Sequence, residues 1–229
     1  MAKQVISTPV IRRLPRYYRF LGDLERERVE RISSKELAQR MGLSASQIRQ
    51  DFNCFGGFGQ QGYGYHVKEL REIIGEILGV NQTTGVILIG AGNLGKAIAA
   101  HVDFEKRGCK LIGIFDSNPL LAGTSTAGLP IMPMETLGSF CKQHKPAVAV
   151  LCIPKDAAQS LADELIALGI GGFWNFSHFD LRIKDPNVIV ENVHLGDSLM
   201  TLAYWMHHED DESNLKNPLY FKRTGDLLC

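Results

Sequence analysis

Three glycines and a downstream carboxylate carry the clearest chemistry in this chain. Gly90-Ala91-Gly92-Asn93-Leu94-Gly95 has the G-x-G-x-x-G spacing, follows the apolar run Val86 to Ile89 and opens a segment of helical pattern, Asn93 to Lys106. These residue types suit a pyrophosphate. Gly90 permits a tight turn, Gly92 lets backbone N–H groups approach phosphate oxygens, and Gly95 lets helix pack closely on strand. The helix N-terminus adds unpaired donors and the positive end of its dipole. Lys110 to Phe115 reads as the next strand and ends in Asp116, 21 residues beyond Gly95. A carboxylate there accepts hydrogen bonds from ribose hydroxyls and repels a 2′-phosphate. No Arg directly follows it, so NAD(H) is expected rather than NADP(H). Ser117 adjoins this site, and Ile153 and Pro154 end a later strand where the nicotinamide half would lie. Lys96 reads as a surface lysine. A phosphate-free glycine turn or a CoA-type site is the alternative.

A second set of residues suits a polyanion. The first 50 residues hold 11 Lys and Arg against 5 Asp and Glu, although the whole chain is balanced at 25 each. A basic module on an acidic body points to nucleic acid, whereas a solvated basic face is the plain alternative. Ser44, Ser46, Gln47, Arg49 and Gln50 are expected on the outer face of a short helix from Ser44 to about Phe52, with Leu43, Ile48 and Phe52 inward. Ser44 and the helix start suit phosphates; Arg49 and Gln50 can reach base edges. Arg12, Arg13, Arg16 and Arg19 lie close enough together to clamp phosphates beside the groove, or to pair with Asp23 or Glu25.

The positioning elements follow from punctuation and periodicity. Pro15 suits a helix's first turn, and Tyr17, Tyr18, Phe20, Leu21, Leu24 and Val29 carry an amphipathic pattern to about Arg31. Ser33 or Ser34 caps a helix over Lys35 to Met41 that Gly42 stops, and Ser44 caps the next. Two short helices joined by Gly42-Leu43-Ser44 form a helix-turn-helix pattern. Cys54 to Tyr65, dense in glycine and aromatics, reads as a two-stranded wing with Gln60 near its tip. A helix over His66 to Leu78 and a joint at Val80 to Thr84 complete the module. Beyond it, further strands are expected at Ala147 to Cys152, Gly172 to Phe176 and Val188 to Val193, with a helix at Asp156 to Leu168. Strands alternating with helices imply an α/β fold with a doubly wound parallel sheet. The expected layout is residues 1–80 as a winged-helix DNA-binding domain, 84–194 as a Rossmann NAD(H)-binding domain, an apolar helix over 195–208 and a flexible tail over 209–229.

Composition narrows the function classes. The longest apolar stretches are far too short to span a bilayer, and the N-terminus has no apolar signal core. Five cysteines without Cys-x-x-Cys spacing suggest free thiols in a reducing cytoplasm, and no zinc-ligand spacing occurs, so no metal is expected. A nicotinamide dehydrogenase needs a proton relay and a substrate domain. There is no Tyr-x-x-x-Lys pair and no nucleophile elbow, and little chain remains after the last expected strand. No catalytic residue is assigned, and cofactor occupancy is expected to be a signal rather than a step in turnover. An NAD-dependent dehydrogenase with an accessory helical domain is the competing reading.

Several motifs resemble the redox-sensing repressor family Rex. They are IRRLPRYYRFL (Ile11 to Leu21), SSKELAQRMGLSASQIRQDFNCFGGFGQQGYGY (Ser33 to Tyr65), VILIGAGNLGKAIA (Val86 to Ala99), IPKDAAQ (Ile153 to Gln159) and LIALGIGGFWNF (Leu165 to Phe176). The likeness runs in one collinear order to about His208. It implies a homodimer whose C-terminal helices exchange between subunits. It also implies palindromic operator double-stranded DNA as the partner, held by the free or NAD⁺-loaded repressor and released with NADH. Three departures stand out. Gln50 replaces a common Lys after Arg49, and Gln60 and Gln61 stand where basic wing residues are common. His101 and His194 align with a Tyr and an Asp that couple the two domains in some members, which would make that relay pH-sensitive. Both could instead be packing histidines.

Overall fold

The computed structural model describes residues 6–56 and 63–208. They form two compact units, one reaching Gly79 and including the chain from Tyr204, the other Val80–Ala203.

The first unit runs α1 (Thr8–Arg26), β1 (Arg31–Ile32), α2 (Ser34–Met41), α3 (Ala45–Asn53), β2 (Tyr65–His66) and α4 (Val67–Leu78). Two sequence expectations for α1 are corrected. The helix begins at Thr8 with Pro9 in its first turn, so Pro15 lies inside it, and it ends at Arg26 rather than near Arg31. Val10, Leu14, Tyr17, Leu21 and Leu24 form one buried stripe, and burying it outweighs the backbone bond that an exposed Pro15 forgoes. Arg28, at φ 61, turns the chain toward β1. The turn between α2 and α3 is built as its residues dictate. Ser33 and Glu36 make a reciprocal capping box, Gly42 takes φ 65, and Ser44 accepts the Gln47 N–H. Half of the expected two-stranded wing inside Cys54–Tyr65 falls outside the described residues, and its last residue, Tyr65, takes part in a longer-range pairing. β2 runs antiparallel to β1, with Arg31 opposite His66 and Ile32 opposite Tyr65. Residues 57–62, including Gln60 and Gln61, lie outside the described residues. Tyr65 packs edge-on against Phe52 at 5.0 Å, so this aromatic belongs to the helical core.

The second unit is a seven-stranded sheet in the order β5-β6-β4-β3-β7-β8-β9, parallel except for the β5–β6 pair. The strands are β3 (Thr84–Ile89), β4 (Cys109–Asp116), β5 (Ser125–Thr126), β6 (Leu129–Pro133), β7 (Val148–Leu151), β8 (Gly172–Asn175) and β9 (Ile189–Asn192). Helices α5 (Asn93–His101), α6 (Leu137–His144), α7 (Lys155–Ala167) and, as far as Ala203, α8 (Leu195–His207) complete the set. Apolar clusters cover both faces of the sheet: Ile98 and Ala99 of α5 pack on one, Cys141 of α6 and Leu165 of α7 on the other. The expected helix Asn93 to Lys106 is corrected: α5 stops at His101, and a short turn at Glu105–Arg107 follows the buried Phe104. The sequence pattern does not predict β5, β6 or α6. β5 has two residues, β6 contains two prolines, and α6 has no side-chain cap to mark its start.

Candidate nucleotide and nucleic-acid sites

The order of the sheet reverses between β3 and β7, and the glycine turn sits there, where an open α/β sheet forms its ligand crevice. Each motif glycine has a different reason to be one. Gly90 has φ 96, and a Cβ there would collide with the Cys152 carbonyl and lie 3.1 Å from Ile153 Cγ2. A Cβ at Gly95 would strike the Gly90 carbonyl, so glycine lets α5 approach the turn. Gly92 is exposed, and nothing lies within 4 Å of where its Cβ would be. No protein atom demands a glycine at that spot. The surface it leaves bare is the N-terminus of α5, where the first backbone N–H groups lack helical acceptors.

Asp116 ends β4, as expected, and its carboxylate is tied to the turn. Oδ2 accepts the Ala91 N–H at 2.6 Å and Oδ1 accepts the Asn118 N–H at 2.7 Å. Each oxygen keeps a further lone pair for a hydroxyl donor. Ser117 is exposed beside it, Ile153 is half-buried next to Gly90, and Pro154 caps α7. The structure thus gathers Gly90 to Gly95, Asp116, Ser117, Ile153 and Pro154 at one end of the sheet. Burial pushes the neighbouring Cys152 thiol up to about 12. Among the described residues the other cysteines, Cys54, Cys109 and Cys141, are also free, and no cluster of His, Cys, Asp and Glu could hold a metal.

A polar network after β8 has no sequence signal. Buried Asn175 donates to the Phe179 carbonyl at 2.6 Å and to Asn192 Oδ1 at 2.8 Å, while its own Oδ1 accepts from the N–H and hydroxyl of Ser177. This network fixes the loop that holds His178 at φ 56 and presents Asp180 to His194 at 2.9 Å. The Asp180 hydrogen bond raises the His194 pKa, and the His178 ring lies 6.2 Å from the His194 ring. His101 ends α5 on its exposed side; the hydrogen-bond partner of His194 is Asp180.

In the helical unit the expected phosphate clamp divides. Arg12 and Arg19 are exposed, but Arg13 forks onto Asp51 with Nε–Oδ2 and Nη2–Oδ1 both 2.7 Å. Arg16 donates to the Met41 carbonyl at 2.5 Å and lies over the Phe20 ring. Neither pairs with Asp23 or Glu25, which bind Arg26 and Arg71. Gln47, expected outward, turns in and donates to Asp51 at 2.8 Å. Ser44, Ser46, Arg49 and Gln50 remain exposed, with Arg49 donating to the Ser34 hydroxyl at 3.2 Å. The spacing in the sequence could not separate Arg13 and Gln47 from the outer set, because their common partner Asp51 is buried only once the helices pack.

Comparison with known proteins covers both units. Residues 5–53 match the family described as putative DNA-binding protein N-terminus, and residues 81–179 match the CoA binding domain family. The chain is 52% identical over 214 residues to the redox-sensing transcriptional repressor Rex of Thermoanaerobacter sp. (strain X514), covering 93% of this chain and 95% of that one. The Rex of Clostridium botulinum (strain Eklund 17B / Type B) is 50% identical over 204 residues, covering 89% and 97%. Among solved structures, RSP in complex with β-NAD⁺ and operator DNA has a TM-score of 0.84 at 51% identity, covering 93% of this chain and 98% of that one. RSP in complex with β-NADH has a TM-score of 0.83 at 48% identity, covering 93% and 100%. With a helix-turn-helix unit, a dinucleotide-type crevice and this extent of identity, the chain belongs to the Rex family of redox-sensing transcriptional repressors.

Proposed function

We propose that this chain binds NAD(H) in the crevice at Gly90–Gly95 and reports the NADH/NAD⁺ ratio by holding or releasing palindromic operator DNA. The observation that carries the reading is the bare backbone at Gly92, beside a carboxylate that the turn itself orients. The pyrophosphate lies against the N-terminus of α5, Asp116 receives the adenosine ribose hydroxyls with Ser117 adjacent, and Ile153 and Pro154 border the nicotinamide half. The matching CoA binding family makes a CoA-type ligand the second reading; the relatives crystallised with NAD⁺ and NADH favour the dinucleotide. Arg12, Arg19, Ser44, Ser46, Arg49 and Gln50 face DNA, with residues 1–80 as the reading domain and 84–194 as the sensing domain. The working form is a cytoplasmic homodimer joined through residues 195–208. The protein carries out no turnover: NADH acts by preferring the arrangement of the dimer that cannot hold DNA, and a preference of about 3 kcal/mol lowers operator affinity roughly a hundredfold. In this reading His101 and His194 pass the signal.

Fluorescence anisotropy with the operator duplex of RSP tests the cycle. Binding is expected without nucleotide and with NAD⁺, and NADH is expected to displace the duplex. Unchanged affinity on adding NADH would remove the sensor reading. Displacement by CoA in place of NADH would favour the second ligand.

A further inference from the structure

One of the four clustered arginines, Arg13, is engaged by a carboxylate of the recognition helix, Asp51. Asp51 is fully buried, although aspartate is almost never so unless paired. Its carboxylate accepts four hydrogen bonds: Arg13 Nε at 2.7 Å, Arg13 Nη2 at 2.7 Å, Tyr17 Oη at 2.7 Å and Gln47 Nε2 at 2.8 Å. Arg13 and Tyr17 stand four apart on one face of α1, and Gln47 and Asp51 four apart on one face of α3, so two helices meet in a single knot. Burial pushes the Asp51 pKa up, but the bonds from Arg13, Tyr17 and Gln47 outweigh it and hold the carboxyl below its usual range.

Apolar packing alone does not aim α3. Ile48 and Phe52 bury it, but that contact is non-directional and tolerates sliding and rolling. A guanidinium fork on a carboxylate tolerates neither, since both parallel bonds need one plane and one distance. With side-chain tips about 6 Å from a helix axis, a roll of about 20° moves them by about 2 Å, enough to break a hydrogen bond to a base edge. Arg49 and Gln50 are adjacent to Asp51 on this nine-residue helix, so its roll sets where they point.

We propose that Asp51, gripped by Arg13 and Tyr17, is the positioning residue of the DNA-reading unit, and that Arg13 serves operator binding through Asp51 rather than as a phosphate ligand. This inference rests on the DNA-binding reading above. Its test is the salt dependence of binding by the full chain to the RSP operator duplex. A lost phosphate contact lowers the slope of log K against log salt by about one, whereas a mis-aimed helix lowers affinity at unchanged contact number only for the cognate duplex.

Arg13→Lys and Asp51→Asn are each expected to weaken operator binding roughly tenfold or more, with the salt slope and the affinity for a scrambled duplex near those of the unaltered chain. Their effects should be non-additive in the double variant. Arg19→Ala, the comparison, is expected to lower the slope and weaken both duplexes alike. Tyr17→Phe removes one bond without leaving a charge unpaired and is expected to show the same cognate-only loss, smaller in size. It decides the matter if Asp51→Asn does not fold. NADH binding by each variant reports that the second unit is intact. A lowered slope for Arg13→Lys, or cognate binding unaltered in Tyr17→Phe and Asp51→Asn, would overturn the inference. No binding of the duplex by the unaltered chain would instead remove the reading it rests on.

Discussion

At the scale of single residues, the glycine turn shows how one motif serves two separate demands. Gly90 and Gly95 are required by the protein's own atoms, since a Cβ at either would meet a backbone carbonyl. Gly92 is required by nothing in the fold. Gly95→Ala is therefore expected to destabilise the second unit by about 1–3 kcal/mol, the usual cost of overpacking, read as a lowered Tm. Gly92→Ala is expected to leave Tm nearly unchanged while weakening NADH binding in a fluorescence titration. Equal losses of stability in the two variants would mean that Gly92 is also a packing glycine. The two packing roles follow from the spacing alone, because a turn that must fit against a strand and open a helix has little freedom in residue type. The engagement of Arg13 and Gln47 does not follow from it. Both carry polar groups at positions suited to an outer face, and only the burial of Asp51 draws them inward.

Among the elements, those with strong local signals lie close to where the sequence puts them. The helix-turn-helix is written in Ser33, Gly42 and Ser44, whose caps satisfy the backbone groups that helix ends leave open. The elements that local reading misplaces depend on distant partners. β2 is a strand because β1, more than 30 residues earlier, supplies its hydrogen bonds. A distant pair also precedes α8: Asp180, after β8, accepts from His194 just before the helix. The hydrogen bond to Asp180 raises the folded-state pKa of His194, so the stabilisation is fully present below about pH 6.5, the ordinary histidine value. It is lost as pH rises through the raised value. The Tm difference between the unaltered chain and Asp180→Asn is thus expected to be largest in mildly acidic buffer and to vanish in alkaline buffer. A difference independent of pH would show that the pair contributes as a neutral hydrogen bond.

At the scale of the whole molecule, α8 presents an exposed apolar surface. None of its residues is buried, and Leu195, Leu199, Met200, Leu202 and Met206 are between 45% and 73% exposed. Isolated apolar side chains on a surface need no explanation, but a row along 13 residues suits an interface. The homodimer proposed above covers this row with a second copy. Leu199→Asp is expected to convert the protein to monomer in analytical ultracentrifugation and to abolish operator binding. Each half-site alone then has too few contacts to hold. NADH binding by each subunit is expected to persist. A monomer that still bound the palindrome with full affinity would place the interface elsewhere. None of the described helices is long and apolar enough to cross a membrane.

Periodicity, caps and glycine spacing in the chain determine two kinds of unit and the nature of the main ligand crevice, because these depend on contacts between residues a few positions apart. Tertiary structure alone decides which polar side chains remain free to act. Arg13, Gln47 and Asp51 come from separate helices, and Asn175, Ser177 and Asn192 from separate strands and loops. A buried polar atom must find a partner within hydrogen-bonding distance, and packing determines which partner that is.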